Sequence, residues 1–169
     1  MSVTLEQVLA SRDARSRREK ELQLLFPDST LVVLTVIVPG SEKRTPASLA
    51  VAHAAMEELR RSFAGEILHC EERDLPTGYE AFMTVAPAAG ESKRRCVAIE
   101  ESHPLGRLMD IDVIGSDGTP LQRGILDKSR RRCLICGNEA RYCMRARLHS
   151  PQELNAKIEE LVNGYLQRH

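Results

Sequence analysis

Two aspartates, Asp110 and Asp112, stand two residues apart in the otherwise apolar stretch LMDIDVIG. Residues i and i+2 of a β-strand point to the same face, with Cα atoms about 6.5–7 Å apart. Carboxylates that close repel each other and lose hydration, so a cation is expected to compensate them. Mg²⁺ prefers one or two carboxylates together with substrate phosphates. The pair therefore predicts a Mg²⁺ site for nucleotidyl or phosphoryl transfer. The alternative is an edge strand whose outer face is simply polar.

Residues just before the aspartates favour the site over the polar edge. Glu100 and Glu101 are expected on the preceding strand, close enough in a hairpin to add a carboxylate. His103 lies in the connection, and Arg107 can pair with a phosphate. We therefore expect a phosphate-handling site around Asp110.

A second set of side chains could bind a soft metal ion. Cys133, Cys136, Cys143 and His149 fall within seventeen residues, which predicts a tetrahedral structural Zn²⁺ site with three thiolates and one imidazole. The alternative is small thiols buried in a tight loop. A catalytic cysteine is disfavoured because a nucleophile needs one activated thiol and a base, not a cluster.

Basic residues surround these cysteines. Between Arg123 and Arg147 there are eight Arg or Lys and two acids, whereas Glu100 to Asp117 holds five acids and one base, Arg107. Such a run is often a solvated face, but beside an acidic strand it also suits a phosphate-rich ligand. RNA is a weaker candidate, because the chain has three Phe, three Tyr and no Trp for base stacking.

The elements that must hold these residues follow from periodicity and capping signals. Helices are predicted from Thr4 to Pro27, from Pro46 to about Gly65, and after Ser150, where Pro151 and Glu153 complete a capping box. Strands are predicted for TLVVLTVIVP, GEILHCEE, YEAFMTVAP, RRCVAIEES and LMDIDVIG, with a loop at AAGESK and a turn at Asp117. The prediction is an α+β fold: one mixed or antiparallel sheet packed by N-terminal, central and C-terminal helices, with a cysteine-rich loop.

Length and composition set wider limits. The chain has 169 residues, 42% of them apolar, and balanced totals of 24 basic and 24 acidic side chains. We expect a single transferase domain over residues 1–169, with the cysteine-rich loop at 130–149 inside it. No run of eighteen apolar residues and no signal-peptide pattern occurs, so a cytoplasmic protein without a membrane partner is expected.

Three stretches together carry a family resemblance. HPLGRLMDIDV, followed by RRCLICGNEARYCMRARLHS and preceded by SRDAR, resembles the apo-citrate lyase phosphoribosyl-dephospho-CoA transferases, in order from about Ser11 to His149. The resemblance implies a triphosphoribosyl-dephospho-CoA donor. A serine of the acyl-carrier (gamma) subunit of citrate lyase would attack the innermost phosphorus of this donor and release pyrophosphate. No nucleic acid partner is implied.

The resemblance also implies roles for individual residues. Asp110 and Asp112 would hold Mg²⁺, and Glu100 or His103 would accept the serine proton. The donor phosphates would bind basic side chains, namely Arg107, Arg12 and Arg15, with help from Arg130, Arg131 and Arg132. The three cysteines and His149 would hold the basic loop in shape, and an acidic acyl-carrier partner would dock on the basic face.

Two other functions remain compatible with the sequence. One is a nucleotidyltransferase for a different carrier, such as the related subunit of malonate decarboxylase. The other is a non-catalytic, zinc-bound RNA or protein adaptor. The adaptor hypothesis conflicts with the aspartates, which would repel phosphate unless a cation intervened.

Overall fold

The order of helices and strands agrees with the predicted α+β class. The computed structural model describes residues 2–126 and 131–168. The elements along the chain are α1 (Leu5–Leu25), β1 (Thr30–Val36), α2 (Pro46–Ser62), β2 (Ile67–Leu75), β3 (Gly78–Val85), α3 (Ala89–Ser102), β4 (Met109–Ile114), α4 (Ala140–Ala146) and α5 (Pro151–Leu166). Short 3₁₀ helices occur at Gly106–Leu108 and Arg123–Leu126.

Helix starts follow the predicted capping signals. Thr4, Thr45 and Ser150 each accept a hydrogen bond from the backbone N–H three residues later, and the side chain at that position reaches back to the cap. Pro46 and Pro151 open α2 and α5, where a missing N–H costs nothing. The predicted capping boxes at Thr4 and Ser150 and the predicted start of α2 at Pro46 are confirmed, and the structure adds a third capping box at Thr45.

Within the described residues the strands form one antiparallel sheet in the order β2-β3-β1-β4. Among the strands of this described part of the chain, β4 pairs with β1 alone and is an edge strand, with Asp110 opposite Thr35 and Asp112 opposite Val33; at its end Ile114 also bridges Pro120. The acidic pair lies at the border of the sheet, where a cleft can form beside it.

The two faces of the sheet are covered unequally. The larger core lies on one face, where α2, α3 and α5 pack against residues such as Leu34, Met83 and Ile111. On the other face only Leu22 of α1 is buried, in a small cluster with Leu31, Val33, Phe82 and Ile114. As predicted, Met109, Ile111 and Val113 are buried, and Asp110 and Asp112 point to the second face.

One predicted strand is wrong. The segment RRCVAIEES lies in helix α3, and the predicted loop AAGESK supplies its first turns. The buried residues Ser92, Cys96 and Ile99 recur at helical rather than alternating spacing. Glu91 in the first turn forms ion pairs with Arg94 and Arg95, which stabilise a helix and not a strand. The apolar, β-branched run at its centre suggested a strand, but packing between β4 and α2 makes it helical.

The cysteine-rich segment is also more regular than predicted. Arg132 and Glu139 form an isolated antiparallel bridge, and α4 follows directly. Cys143 is the one buried residue of this seven-residue helix. The segment therefore depends on its cysteines, because little apolar surface anchors it.

Candidate functional site: an acidic pair in a basic cleft

A cleft of about 1240 Å³ runs between β4 and the cysteine-rich segment. Asp110 and Asp112 line one wall, together with Glu139 farther along. The cationic side chains that line it are Lys93, Arg107, Arg123, Arg131, Arg132, Arg141 and Arg147. Cations therefore outnumber carboxylates along the walls, which suits a polyanionic ligand.

The two aspartates have different surroundings. Asp110 accepts a hydrogen bond from Arg131 Nη1 at 2.8 Å, which compensates its charge. Asp112 has no such bond with any described residue; desolvation, with the nearby charge of Asp110, raises the pKa of its carboxyl group, although Lys93, Arg131 and Arg15 act against that rise. The acidic pair thus has one member with a hydrogen-bonded cation and one whose cations lie at longer range.

Helix α3 closes the free edge of β4 beside these aspartates. Glu100 Oε1 accepts the backbone N–H of Ile111 at 3.0 Å, and Lys93 Nζ donates to the Ile111 carbonyl at 3.3 Å. Two side chains of α3 therefore make the backbone hydrogen bonds that a neighbouring strand would make at Ile111. These bonds fix the position of β4 relative to the cleft.

Glu100 is the most enclosed carboxylate at this edge, with 4% of its surface exposed. It accepts a hydrogen bond from Arg131, and Arg123 Nη1 lies 3.5 Å from its Oε2. Burial raises the pKa of Glu100, although Arg131 and the Ile111 N–H act against that rise. Glu100 therefore forms ion pairs that hold two cleft arginines, Arg131 and Arg123, against α3. Glu100 itself does not line the cleft.

Gly106 explains how Arg107 reaches the cleft. A Cβ at Gly106 would lie 2.3 Å from the Glu100 carbonyl oxygen, so only glycine allows the 3₁₀ helix to pack this tightly on α3. The half-buried Arg107 makes no hydrogen bond or ion pair with any residue that the structure describes. Burial, with the positive charges of Arg131 and Arg123, lowers its pKa. Such an arginine is well suited to an incoming anion.

Three other predicted residues, His103, Arg12 and Arg15, do not line the cleft. His103 Nδ1 accepts the Leu105 N–H at 3.0 Å, and its ring packs against Tyr165 with centroids 5.2 Å apart. Arg12 and Arg15 lie on α1, over the second face of the sheet, where Arg15 is 3.5 Å from buried Glu80. Arg130 lies outside the described residues.

The zinc-type ligands do come together. The ligand atoms of Cys133, Cys136, Cys143 and His149 all lie within 4.8 Å of one another. Cys136 Sγ is 3.4 Å from Cys143 Sγ and 3.3 Å from His149 Nε2. A tetrahedron with Zn–S bonds of about 2.3 Å has edges of about 3.8 Å, so the cluster is close to metal-binding size.

The thiols of this cluster differ in acidity. The backbone N–H of Asn138, with His149 and Cys143, lowers the pKa of Cys136 to about 6, whereas burial raises that of Cys143 to about 12. The thiols therefore share charge unequally, and a bound cation would favour the thiolate form of each. The cluster fits a metal ion by ligand type, number and spacing.

Sequence reasoning missed three residues of the site. Lys93 and Arg123 line the cleft. Glu19 of α1 lies near Asp112: burial raises the pKa of Glu19, and the negative charge of Asp112 raises it further. The helical spacing of α3 could have identified Lys93, which lies seven residues before Glu100. The SRDAR stretch already pointed to α1 through Arg12 and Arg15, and the charge of Arg15 acts to lower the pKa of Asp112.

Among the helices within residues 2–126 and 131–168, none combines the length and apolar character needed to cross a bilayer.

Comparison with known proteins identifies the family. Residues 3–165 match the family of apo-citrate lyase phosphoribosyl-dephospho-CoA transferases. A protein of Vibrio cholerae serotype O1, described as a probable member, is 40% identical over 169 residues, which cover 98% of this chain and 94% of that protein. One from Streptococcus pyogenes serotype M3 with the same description is 30% identical over 171 residues, covering 99% and 89%. The chain is thus an enzyme that belongs to the apo-citrate lyase phosphoribosyl-dephospho-CoA transferase family.

Proposed function

We propose that this enzyme transfers phosphoribosyl-dephospho-CoA from triphosphoribosyl-dephospho-CoA to a serine of the apo acyl-carrier subunit of citrate lyase, with release of pyrophosphate. The supporting observation is the cleft, whose lining combines the acidic pair with Lys93 and six arginines. A triphosphate needs cationic side chains along its length, and nucleotidyl transfer depends largely on positioning and charge compensation. Family membership supports a donor of the phosphoribosyl-dephospho-CoA class and an apo-citrate lyase acceptor.

Arg107, Arg123 and Arg131 form the phosphate-binding part of this proposal. Arg131 bonds to Asp110 and Glu100, and Arg123 lies beside Glu100, whereas Arg107 has no carboxylate of its own. We assign Arg107 to the donor phosphates in the first instance. When the donor enters, the guanidinium of Arg131 can exchange Asp110 for a phosphate oxygen.

Asp110 and Asp112 are proposed to hold Mg²⁺. They fit this ion because both are oxygen ligands on one face of β4, and desolvation together with the neighbouring charge of Asp110 raises the pKa of Asp112. Bound Mg²⁺ would neutralise the charge of the donor phosphates. Lys93, which anchors the Ile111 carbonyl between the two aspartates, would hold their backbone in register.

Glu100 and His103 were the predicted acceptors of the serine proton. Glu100 is buried among bonds to Ile111 N–H and Arg131, so we propose that it positions β4 and the arginines. His103 has its Nδ1 engaged by Leu105 N–H. The dependence of kcat on pH in Glu100→Gln and His103→Asn tests these roles. A positioning residue lowers kcat without removing the acid limb of the profile, whereas loss of the base removes that limb.

The cysteine cluster is proposed to hold a structural Zn²⁺. Four protein ligands fill a tetrahedral site, which leaves no open position for catalysis. Arg131 and Arg132 directly precede Cys133, and the Ala140 N–H donates to the Arg131 carbonyl. The ion would therefore fix the segment that carries Arg131 against Glu100 and Asp110.

The central experiment is intact-mass measurement of the apo acyl-carrier subunit after incubation with enzyme, donor and Mg²⁺. The expected result is a gain equal to one phosphoribosyl-dephospho-CoA group, with an equal amount of pyrophosphate released. The malonate decarboxylase carrier serves as the comparison acceptor. Modification of that carrier alone would assign a different acceptor, and modification of neither would reject the transferase assignment.

A further inference from the structure

Helix α4 and the two residues that follow it carry an exposed surface of apolar and basic side chains. Its apolar members are largely in solvent, with Tyr142 58%, Met144 73% and Leu148 47% exposed. Exposed arginines alternate with them. We call this set the α4 surface; its members are Arg141, Tyr142, Met144, Arg145, Arg147 and Leu148.

The arginines of the α4 surface lack carboxylate partners. None of Arg141, Arg145 and Arg147 forms a hydrogen bond or ion pair through its side chain with a residue of 2–126 or 131–168. Several exposed arginines elsewhere do pair, as in the bonds of Arg44 to Asp74, Arg61 to Glu58 and Arg94 to Glu91, so three unpaired arginines within seven residues mark this surface. The α4 surface therefore has uncompensated positive charge next to exposed apolar groups.

This surface is continuous with the cleft. Arg141, Met144 and Arg147 also line the cleft that contains Asp110 and Asp112. Arg145 and Tyr142 belong to the same helix but do not line it. A macromolecule bound to α4 would thus lie at the cleft mouth and could extend a side chain toward the aspartates.

We infer that the α4 surface docks the protein acceptor, a folded protein that has carboxylates and an apolar contact around its acceptor hydroxyl. This inference rests on the proposed function and assigns a location to that partner. Arginine, tyrosine and methionine are enriched in protein interfaces, and complementary charge speeds association. A nucleic acid fits less well, because its phosphates would meet the two aspartates and find one aromatic ring for stacking.

Tyr142 and Arg145 do not line the cleft, so substitutions of these two residues test carrier docking without changing the proposed donor site. Arg145→Glu and Tyr142→Ser are compared with wild type, and Arg17→Glu on α1 is the matched control, since Arg17 is also exposed and far along the chain from α4. The Kd of the apo acyl-carrier subunit is measured by calorimetry, without donor. The KM for the carrier, the KM for the donor and kcat are measured separately.

Charge reversal at Arg145 is expected to raise the Kd and KM for the carrier about tenfold, because one attraction becomes a repulsion. Tyr142→Ser is expected to raise both about fivefold. The KM for the donor, kcat at saturating carrier and all constants of Arg17→Glu should stay within about twofold of wild type. Added salt should weaken carrier binding to wild type more than to Arg145→Glu.

The possible failures are distinguishable. If wild type modifies its carrier and both α4 variants bind that carrier as wild type does, the docking inference is wrong and the proposed function stands. The same holds if the variants lose kcat and donor binding equally, because α4 would then be structural. Tighter binding of a single-stranded RNA than of the carrier also overturns the inference. No modification by wild type rejects the proposed function, and the docking inference with it.

Discussion

The substitution Asp112→Asn is expected to stabilise the free enzyme and at the same time to abolish transfer. Asp112 lies beside Asp110 on β4, and desolvation together with that neighbouring charge raises its pKa. A carboxyl group with a raised pKa in the folded state binds its proton more tightly there than in the unfolded chain. The stabilisation from that proton is complete below about pH 4 and is lost as the pH rises through the folded-state pKa. At neutral pH the ionised Asp112 therefore destabilises the fold.

The magnitude follows from the strand geometry. Side chains two residues apart in β4 have Cα atoms about 7 Å apart. Two like charges at that distance repel by about 0.6 kcal/mol in water and about 2.4 kcal/mol at an effective dielectric constant near 20. Asp112 is exposed enough for solvent to screen much of this, so we expect a gain of about 0.5–1 kcal/mol. For a chain of this length that gain raises Tm by about 1–4 °C.

The assay is thermal unfolding at several pH values, with and without Mg²⁺. Without Mg²⁺, the excess stability of Asp112→Asn at pH 7 should shrink as the pH falls toward 4. Asp110→Asn is the matched control and should show no gain, because it removes the partner of Arg131. Mg²⁺ at a hundred times its Kd should stabilise wild type by about 2.7 kcal/mol and should have little effect on either variant.

A Tm for Asp112→Asn at or below that of wild type at pH 7 without Mg²⁺ would refute the charge argument. An equal gain from Mg²⁺ in wild type and both variants would refute the metal assignment. Near-normal transfer by Asp110→Asn and Asp112→Asn would refute it as well.

Three further predictions concern the rest of the site. Gly106→Ala should lower the free energy of unfolding, measured in urea, by at least about 2 kcal/mol, because the alanine Cβ would collide with the Glu100 backbone. Unchanged stability would contradict this close packing and mean that the 3₁₀ helix can move away from α3. Arg107→Gln should raise the KM for the donor at least tenfold while the control Arg17→Gln does not, and equal values would contradict phosphate binding by Arg107. Purified enzyme should contain one zinc per chain by elemental analysis, and Cys136→Ser or a strong chelator should remove it and speed amide hydrogen exchange in residues 131–149. Full zinc retention by Cys136→Ser would contradict the ligand set.

Local sequence signals were sufficient for much of the fold. The capping boxes at Thr4 and Ser150 and the alternation through Met109, Asp110 and Ile111 depend on contacts between neighbouring residues, so the sequence alone predicts them. The spacing of Cys133 to His149 likewise predicted a cluster that the tertiary structure assembles. Helix α3 was mistaken for a strand because a short apolar run has no decisive period of its own.

Long-range contacts decided the rest of the candidate site. Glu100 lies on a helix that caps the edge of β4, so it anchors Ile111 and two arginines instead of extending a hairpin. Lys93 and Arg123 enter the cleft through packing that brings together residues far apart in the chain. The amino-acid sequence by itself determined which residues could do the chemistry, because residue type and local spacing set ligand and charge. Only the tertiary structure decided which of them share the cleft, because their free energies of burial and pairing depend on neighbours supplied by other elements.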